Sequence, residues 1–177
     1  PYLRYGEADQ EDIYSVIAYL RSIAPIESKP EHSEPDFPVN ILINTMPQKA
    51  KFSPKPDTTD LVAYGSYVFK LAACPDCHTP IDKGNPIEGL ELAGGFEFPL
   101  STGGLVRSAN ITPDMETGIG KWSKEAFLRR FKMYTDSSFV PTKVEAGYFN
   151  SQMPWIEYAQ MTEGDLVAIY EYLRTVP

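Results

Sequence analysis

The sequence predicts an all-α fold: a helical domain with long loops and one short β-hairpin, preceded by a further helix and an extended linker. Two observations carry this reading. Four segments, near 9–23, 59–74, 123–134 and 162–173, place apolar residues three and four positions apart, the period of a helix with one buried face. Sixteen prolines and twelve glycines fall mostly between those segments, which leaves much of the chain to loops.

With 177 residues the chain can hold one domain or one and a fraction, and its 42% apolar content is that of a folded protein. A formal charge of −8 and a pI near 4.8 argue against nucleic acid and anionic membrane surfaces as partners, and fit a basic docking partner. No run of about twenty apolar residues is present, so no segment reads as a membrane span. No signal-peptide pattern is present, yet the chain opens on Pro1-Tyr2-Leu3 and not on methionine, so nothing follows from that absence.

The first helix, 9–23, has Asp9 as its N-cap and a stripe of Ile13, Val16, Ile17 and Leu20. The last helix repeats it, with Thr162 and Asp165 as a capping pair and Leu166, Ile169, Tyr170 and Leu173 as the stripe. Laid on one another without gaps at an offset of 153, the two ends pair Pro1 with Pro154, Tyr2 with Trp155, Tyr5 with Tyr158 and Asp12 with Asp165. Tyr19-Leu20-Arg21 falls on Tyr172-Leu173-Arg174. The shared proline-aromatic lead and shared ending point to a duplication, with residues 1–24 as the closing segment of a preceding domain. A methionine equivalent to Met153 is then expected just before Pro1.

Residues 25–58 hold Pro25, Pro30, Pro35, Pro38, Pro47, Pro54 and Pro56 and read as a linker or strap. Within it Phe37, Val39, Ile41 and Ile43 alternate, which predicts an extended stretch with one face laid on a domain surface. The domain proper is expected over 59–177. It opens with Thr59-Asp60 capping a helix whose stripe (Leu61, Tyr64, Gly65, Val68, Phe69) runs on into Ala72, Ala73 and Cys74.

That helix delivers Cys74-Pro75-Asp76-Cys77-His78, and Cys-x-x-Cys-His is the attachment pattern of a c-type haem. Two thiols one helical turn apart reach the same porphyrin edge, and the following imidazole turns toward the iron. Two other readings exist. A redox dithiol would want a strand before the motif, and a zinc site would want two more nitrogen or sulfur ligands where the only other histidine is His32. Neither accounts for His78.

Beyond the motif, Phe96–Leu100 and Leu105–Ser108 form a candidate hairpin around Gly103-Gly104. Asn110 to Trp122 reads as a loop, Ser123 caps a helix facing Phe127, Phe131 and Tyr134 inward, and a second loop, Thr135–Gln152, leads to Met153-Pro154-Trp155. A second axial ligand is to be sought among five methionines. Met133 lies within a helix and Met161 at the cap of the last one, and both read as packing residues; Met115 is flanked by Asp114 and Glu116; Met46 and His32 sit in the linker. Met153 is the best placed, in a loop, before a proline that fixes the backbone and a tryptophan, Trp155, that can shield the site. Were Met153 instead a packing residue, the iron would keep an open site, and an enzyme acting on a small inorganic substrate would become the alternative. No paired carboxylates frame a cleft and no nucleophile stands beside a spare histidine.

The chain resembles class I c-type cytochromes, and more closely the multi-domain cytochrome c subunits of bacterial membrane-bound dehydrogenases for alcohols, aldehydes and gluconate, and related tandem multi-haem cytochromes. The resemblance rests on Cys74 to Pro80, Ser108 to Asp114, Thr117 to Ser123, and Met153-Pro154-Trp155 with Met161 to Leu166, and covers about 60–177. It implies one covalently bound haem c with thioether bonds at Cys74 and Cys77, axial ligation by His78 and Met153, and Asn110, Ile111, Trp122 and Trp155 around the haem, with Ile111 packed near it and Trp122 near a propionate. It further implies one-electron transfer without substrate turnover, an adjacent cytochrome c domain upstream, redox partner proteins, and a periplasmic or membrane-tethered location.

Overall fold

A computed structural model describes residues 2–100, 103–141, 143–145, 148 and 151–177. The chain forms two compact units, Pro1–Lys55 and Pro56–Pro177.

In the first unit a single turn, α1 (Tyr2–Tyr5), leads into α2 (Gln10–Ser22). The Asp9 carboxylate caps α2 by accepting from the Glu11 N–H, and also accepts from the Lys55 N–H at 2.9 Å. Lys55 Nζ reaches Asp12 at 2.8 Å. Lys51 N–H donates to the Gly6 carbonyl at 2.7 Å and Ser53 N–H to that of Ala8 at 3.3 Å, so residues 51–53 run beside the connection between α1 and α2. The extended stretch expected over Phe37–Ile43 is corrected: Val39–Leu42 form a helical turn, α3, followed by a 3-10 turn at Ile43–Thr45. With no strand beside them among the described residues, the N–H groups of Asn40, Ile41 and Leu42 find the carbonyls of Asp36 and Pro38, three and four residues back. Phe37, Val39 and Ile41 are all exposed and lay no face on a surface.

The second unit is built on the crossing of α4 (Leu61–Leu71) and α8 (Glu163–Leu173). Asp60, Ser123 and Thr162 cap their helices through side-chain oxygens, as their positions before the apolar stripes predict. The crossing is close because of Gly65, where an added Cβ would lie 1.9 Å from the Ala168 carbonyl oxygen. Phe69 and Leu166 are fully buried there, the Phe69 and Tyr172 rings lie 5.2 Å apart, and Tyr64 Oη donates to Asp165 at 2.7 Å. The third helix, α6 (Lys124–Lys132), adds Phe127 to a core completed by Leu92, Ile119, Ile169 and Leu173.

Two details differ from expectation. The helix from 61 does not run into Cys74: it stops at Leu71, and Cys74–His78 form a separate helix, α5. In a continuous helix the Pro75 ring would strike the Leu71 carbonyl, so the chain breaks at Ala72–Ala73, with Ala73 in the left-handed region at φ 57°. Besides the expected hairpin, β3 (Glu97–Pro99) paired with β4 (Leu105–Arg107), a second one pairs β1 (Ile81–Asp82) with β2 (Asn85–Pro86). Its turn residues Lys83 and Gly84 both have positive φ, the backbone twist that a two-residue hairpin loop requires.

The repeat noticed in the sequence is repeated in the backbone. The turn α7 (Trp155–Tyr158) matches α1, and α8 starts at the equivalent of the first residue of α2. Gly6, Glu7 and Ala8 donate to Tyr2, Arg4 and Tyr5; Ala159, Gln160 and Met161 donate to Trp155, Glu157 and Tyr158, each at the same offset of 153. At the far end Ser22 Oγ donates to Tyr19 O and Thr175 Oγ1 to Tyr172 O, both at 2.7 Å. Pro1, part of the sequence alignment, lies outside the described residues, as do several positions of the loop Thr135–Gln152.

Candidate cofactor site

One turn of helix, α5, carries Cys74, Cys77 and His78 together. Cys74 packs against the core while Cys77 is exposed, and the two thiols are not joined in a disulfide. The half-buried His78 ring lies with Nδ1 2.7 Å from the Ala109 carbonyl oxygen. A carbonyl can only accept, so Nδ1 carries the proton and the lone pair of Nε2 is left for a metal. Burial pushes the imidazole below the ordinary histidine range, outweighing the contact with Ala109. A neutral ring held by one nitrogen is what a metal-ligating histidine needs.

The segment that supplies this acceptor is laced to α5 by its backbone. Gly94 N–H donates to His78 O at 2.8 Å, Leu92 N–H to the buried Thr79 hydroxyl at 3.2 Å, and Ile111 N–H to Leu92 O at 3.0 Å. A Cβ at Gly94, which has φ +77°, would lie 2.5 Å from the carbonyl carbon of Ala109. Gly94 and Ala109 were not singled out from sequence. The glycine pair Gly94-Gly95 was the available signal, whereas a backbone carbonyl leaves none.

Asn110 and Ile111 follow directly. Ile111 packs against the core, while the Asn110 amide accepts from Thr112 N–H and donates to Thr117 Oγ1, organising the loop. The loop closes on Gly118, where a Cβ would lie 2.2 Å from the Thr112 carbonyl oxygen. From α8, Tyr170 Oη donates to Trp122 O and Arg174 to Gly120 O, both at 2.9 Å, fixing the run that carries Trp122. Trp122 lines a cavity of about 480 Å³ together with Lys121, Ala126, Arg129, Arg130 and Met133.

Met153 is half-buried and stands just before α7. Trp155 lies against α6, its ring 5.4 Å from that of Phe131 and stacked 5.5 Å from that of Tyr134. The Arg130 guanidinium sits 4.1 Å from its centroid. Tyr158 Oη donates to Ala72 O, two residues before Cys74, which ties α7 to the start of the cysteine motif. Thus α5 and the Ala109–Ile111 segment converge at His78, and α6 joins Trp122 to Trp155 through Arg130. Met161 packs on the core, consistent with a packing role.

The residues fit a haem. Two cysteines at one helical turn and a neighbouring imidazole with its tautomer fixed are the donor set that a covalently held haem requires. Among the described residues no three His, Cys, Asp or Glu side chains gather as a zinc cage would need. A family model described as Cytochrome c matches residues 62–177.

The chain belongs to the cytochrome c family.

Relatives agree. This cytochrome c chain is 31% identical over 112 residues to the cytochrome c subunit of a quinone alcohol dehydrogenase of Gluconobacter oxydans, covering 63% of the chain and 20% of the relative. It is 32% identical over 116 residues to the gluconate 2-dehydrogenase cytochrome c subunit of Pantoea cypripedii, covering 63% and 22%. It is 27% identical over 187 aligned positions to the fructose dehydrogenase cytochrome subunit of Gluconobacter japonicus, covering 100% and 36%. The chain therefore spans between about a fifth and a third of the length of these relatives. Family membership makes haem c the cofactor and a helical cytochrome c domain the fold.

Proposed function

We propose that this cytochrome c is a one-electron relay in which Cys74 and Cys77 hold the haem through thioether bonds and His78 and Met153 fill the two axial positions. When bound, the haem supplies an iron(III)/iron(II) couple. The chain's part is to hold the ligands and shape the surroundings. The bond from His78 Nδ1 to the Ala109 carbonyl, at 2.7 Å, carries the reading: it fixes the ring and raises the electron density on Nε2. Ile111, packed on the core two residues beyond Ala109, would lie near the haem, and Trp122 with Lys121, Arg129 and Arg130 lines a cavity whose cations would suit its propionates.

Residues 1–24 are read as the closing segment of an upstream cytochrome c domain, 25–58 as the linker and 59–177 as the haem domain. Supporting this are the backbone repeat at offset 153 and the alignment of the fructose dehydrogenase cytochrome subunit along the whole chain. Electrons would pass between that neighbouring haem domain, or a dehydrogenase, and a respiratory acceptor. On this reading the covalently attached haem implies a periplasmic or periplasm-facing tethered location; among the described residues no helix is long and apolar enough to cross a membrane.

The absorption spectrum of the oxidised haem protein tests the ligand set. Methionine ligation gives a weak far-red band, which disappears in Met153→Ala and persists in Met133→Ala, the control chosen because Met133 lines the cavity beside Trp122. A band lost only in Met133→Ala would move the ligand to that residue. No band in the unaltered protein, with rapid cyanide binding, would favour a haem c enzyme with an open site.

A further inference from the structure

We infer that Ser151, acting with Trp155 and Arg130, is a positioning residue that holds the Met153 sulfur in place against competing ligands; this rests on the reading of Met153 as an axial ligand. The Ser151 hydroxyl oxygen accepts two hydrogen bonds, from the Met153 backbone N–H at 3.2 Å and from the Trp155 indole N–H at 3.0 Å. Between those donors Pro154 adopts φ −77° and ψ 69°, an inverse γ-turn, and the Trp155 N–H closes it on the Met153 carbonyl at 2.8 Å. Both polar groups of the Met153 backbone are therefore bonded within five residues, so only the side-chain torsions of Met153 remain to be set.

A local clamp fixes a conformation, and an anchor is needed to fix a position. Trp155 is that anchor. Its ring is held by Tyr134, Phe131 and Arg130, the last with its guanidinium 4.1 Å from the centroid. Phe131 in turn lies 5.0 Å from Phe127, a buried core residue. The chain of contact runs from the core through α6 to Trp155, to Ser151 Oγ, and so to the backbone of Met153. Weakening it leaves the fold intact and lets the sulfur leave the iron more often.

The test uses the haem-loaded protein and reads the far-red band and the rate of cyanide binding. Ser151→Ala should speed cyanide binding about fivefold, since it removes two hydrogen bonds of modest net strength. Trp155→Phe, which keeps an aromatic ring and drops the indole N–H, should do nearly the same. The double variant should exceed neither single one by much, because one hydroxyl serves both donors. Ser151→Thr, which keeps the hydroxyl, should restore the unaltered rate. If Met153→Ala keeps its band, the ligand assignment itself fails. If that variant loses the band while Ser151→Ala and Trp155→Phe bind cyanide at the unaltered rate, the ligand assignment stands and the positioning role is overturned. Should Ser151→Ala fold poorly by circular dichroism, Trp155→Phe alone decides.

Discussion

The segments Tyr2–Ser22 and Trp155–Thr175 share their opening turns, cap positions and terminal side-chain hydrogen bonds at an offset of 153, and only the second sets its helix stripe in a core. α2 runs on to Ser22, two residues past the position equivalent to the end of α8 at Leu173. Yet Leu173 is 2% exposed and its equivalent, Leu20, 60%; Ile169 is 4% exposed and Val16 55%. The reason is the partner. In the second unit α4 brings Gly65 and Phe69 against α8, and no residue of α2 is buried. Helix limits are thus written locally, in caps and carbonyls a few residues apart, whereas burial of the stripe needs a second helix shaped to receive it. On the tandem reading, the helix that should receive α2 belongs to an upstream domain.

The largest expected effect puts that difference to the test. Leu173→Ala removes a buried side chain and should cost about 2–5 kcal/mol of unfolding free energy, while Leu20→Ala should stay within about 0.5 kcal/mol. Urea unfolding of the haem-loaded protein measures both. Equal costs would mean that α2 is buried after all. In a longer chain supplying the proposed upstream domain, the cost of Leu20→Ala should climb toward that of Leu173→Ala; if it does not, the tandem reading loses its physical support.

A smaller effect separates capping from packing. Thr162 Oγ1 accepts from the Asp165 N–H at 3.1 Å, and Asp9 from the Glu11 N–H at 2.9 Å. Thr162→Ala should lower the stability of the main unfolding transition by about 1 kcal/mol. Asp9→Ala should leave that transition alone and reduce only the helical circular dichroism signal. A shift of the main transition in both would show the two units unfolding as one.

This contrast also explains what the sequence could and could not reveal. The long helices were legible because a cap residue and a 3.6-residue stripe both lie within a dozen positions, and Cys74, Cys77 and His78 were legible because their spacing is itself the chemistry. The alternation Phe37-Val39-Ile41-Ile43 misled, since period two marks a strand only where a neighbour offers a ladder, and Pro38 and Asp36 offered nearer acceptors. The break at Ala72–Ala73 was implicit in Pro75, whose ring forbids the continuous helix. The Ala109 carbonyl, 31 residues from His78, was beyond reach because every residue has a carbonyl and only the fold says which one a ring will meet. Ser151 was passed over for a related reason: a serine in a loop gains meaning only from two donors that turn toward it.

The smallest effect is electrostatic and again falls differently in the two units. Hydrogen bonds from the Lys55 and Glu11 N–H groups hold the Asp9 carboxyl below its usual 3.8, and those from the Thr117 N–H and hydroxyl and the Glu116 N–H do the same for Asp114. A depressed folded value means that the unfolded chain takes up its proton first as the pH falls. Each contribution is therefore complete only above about pH 5.5, where even the unfolded carboxyl is almost fully ionised, and is lost as the pH drops through the lower folded value. Asparagine keeps the acceptor oxygen and removes the titration. The unaltered protein should then be more stable than Asp114→Asn at pH 6, with the gap closing in acid. Asp9→Asn should close no gap in the main transition, because α2 contributes no buried surface to it. A pH-independent difference for Asp114→Asn would assign the role of that side chain to its shape and leave its charge no part in holding the loop that carries Trp122.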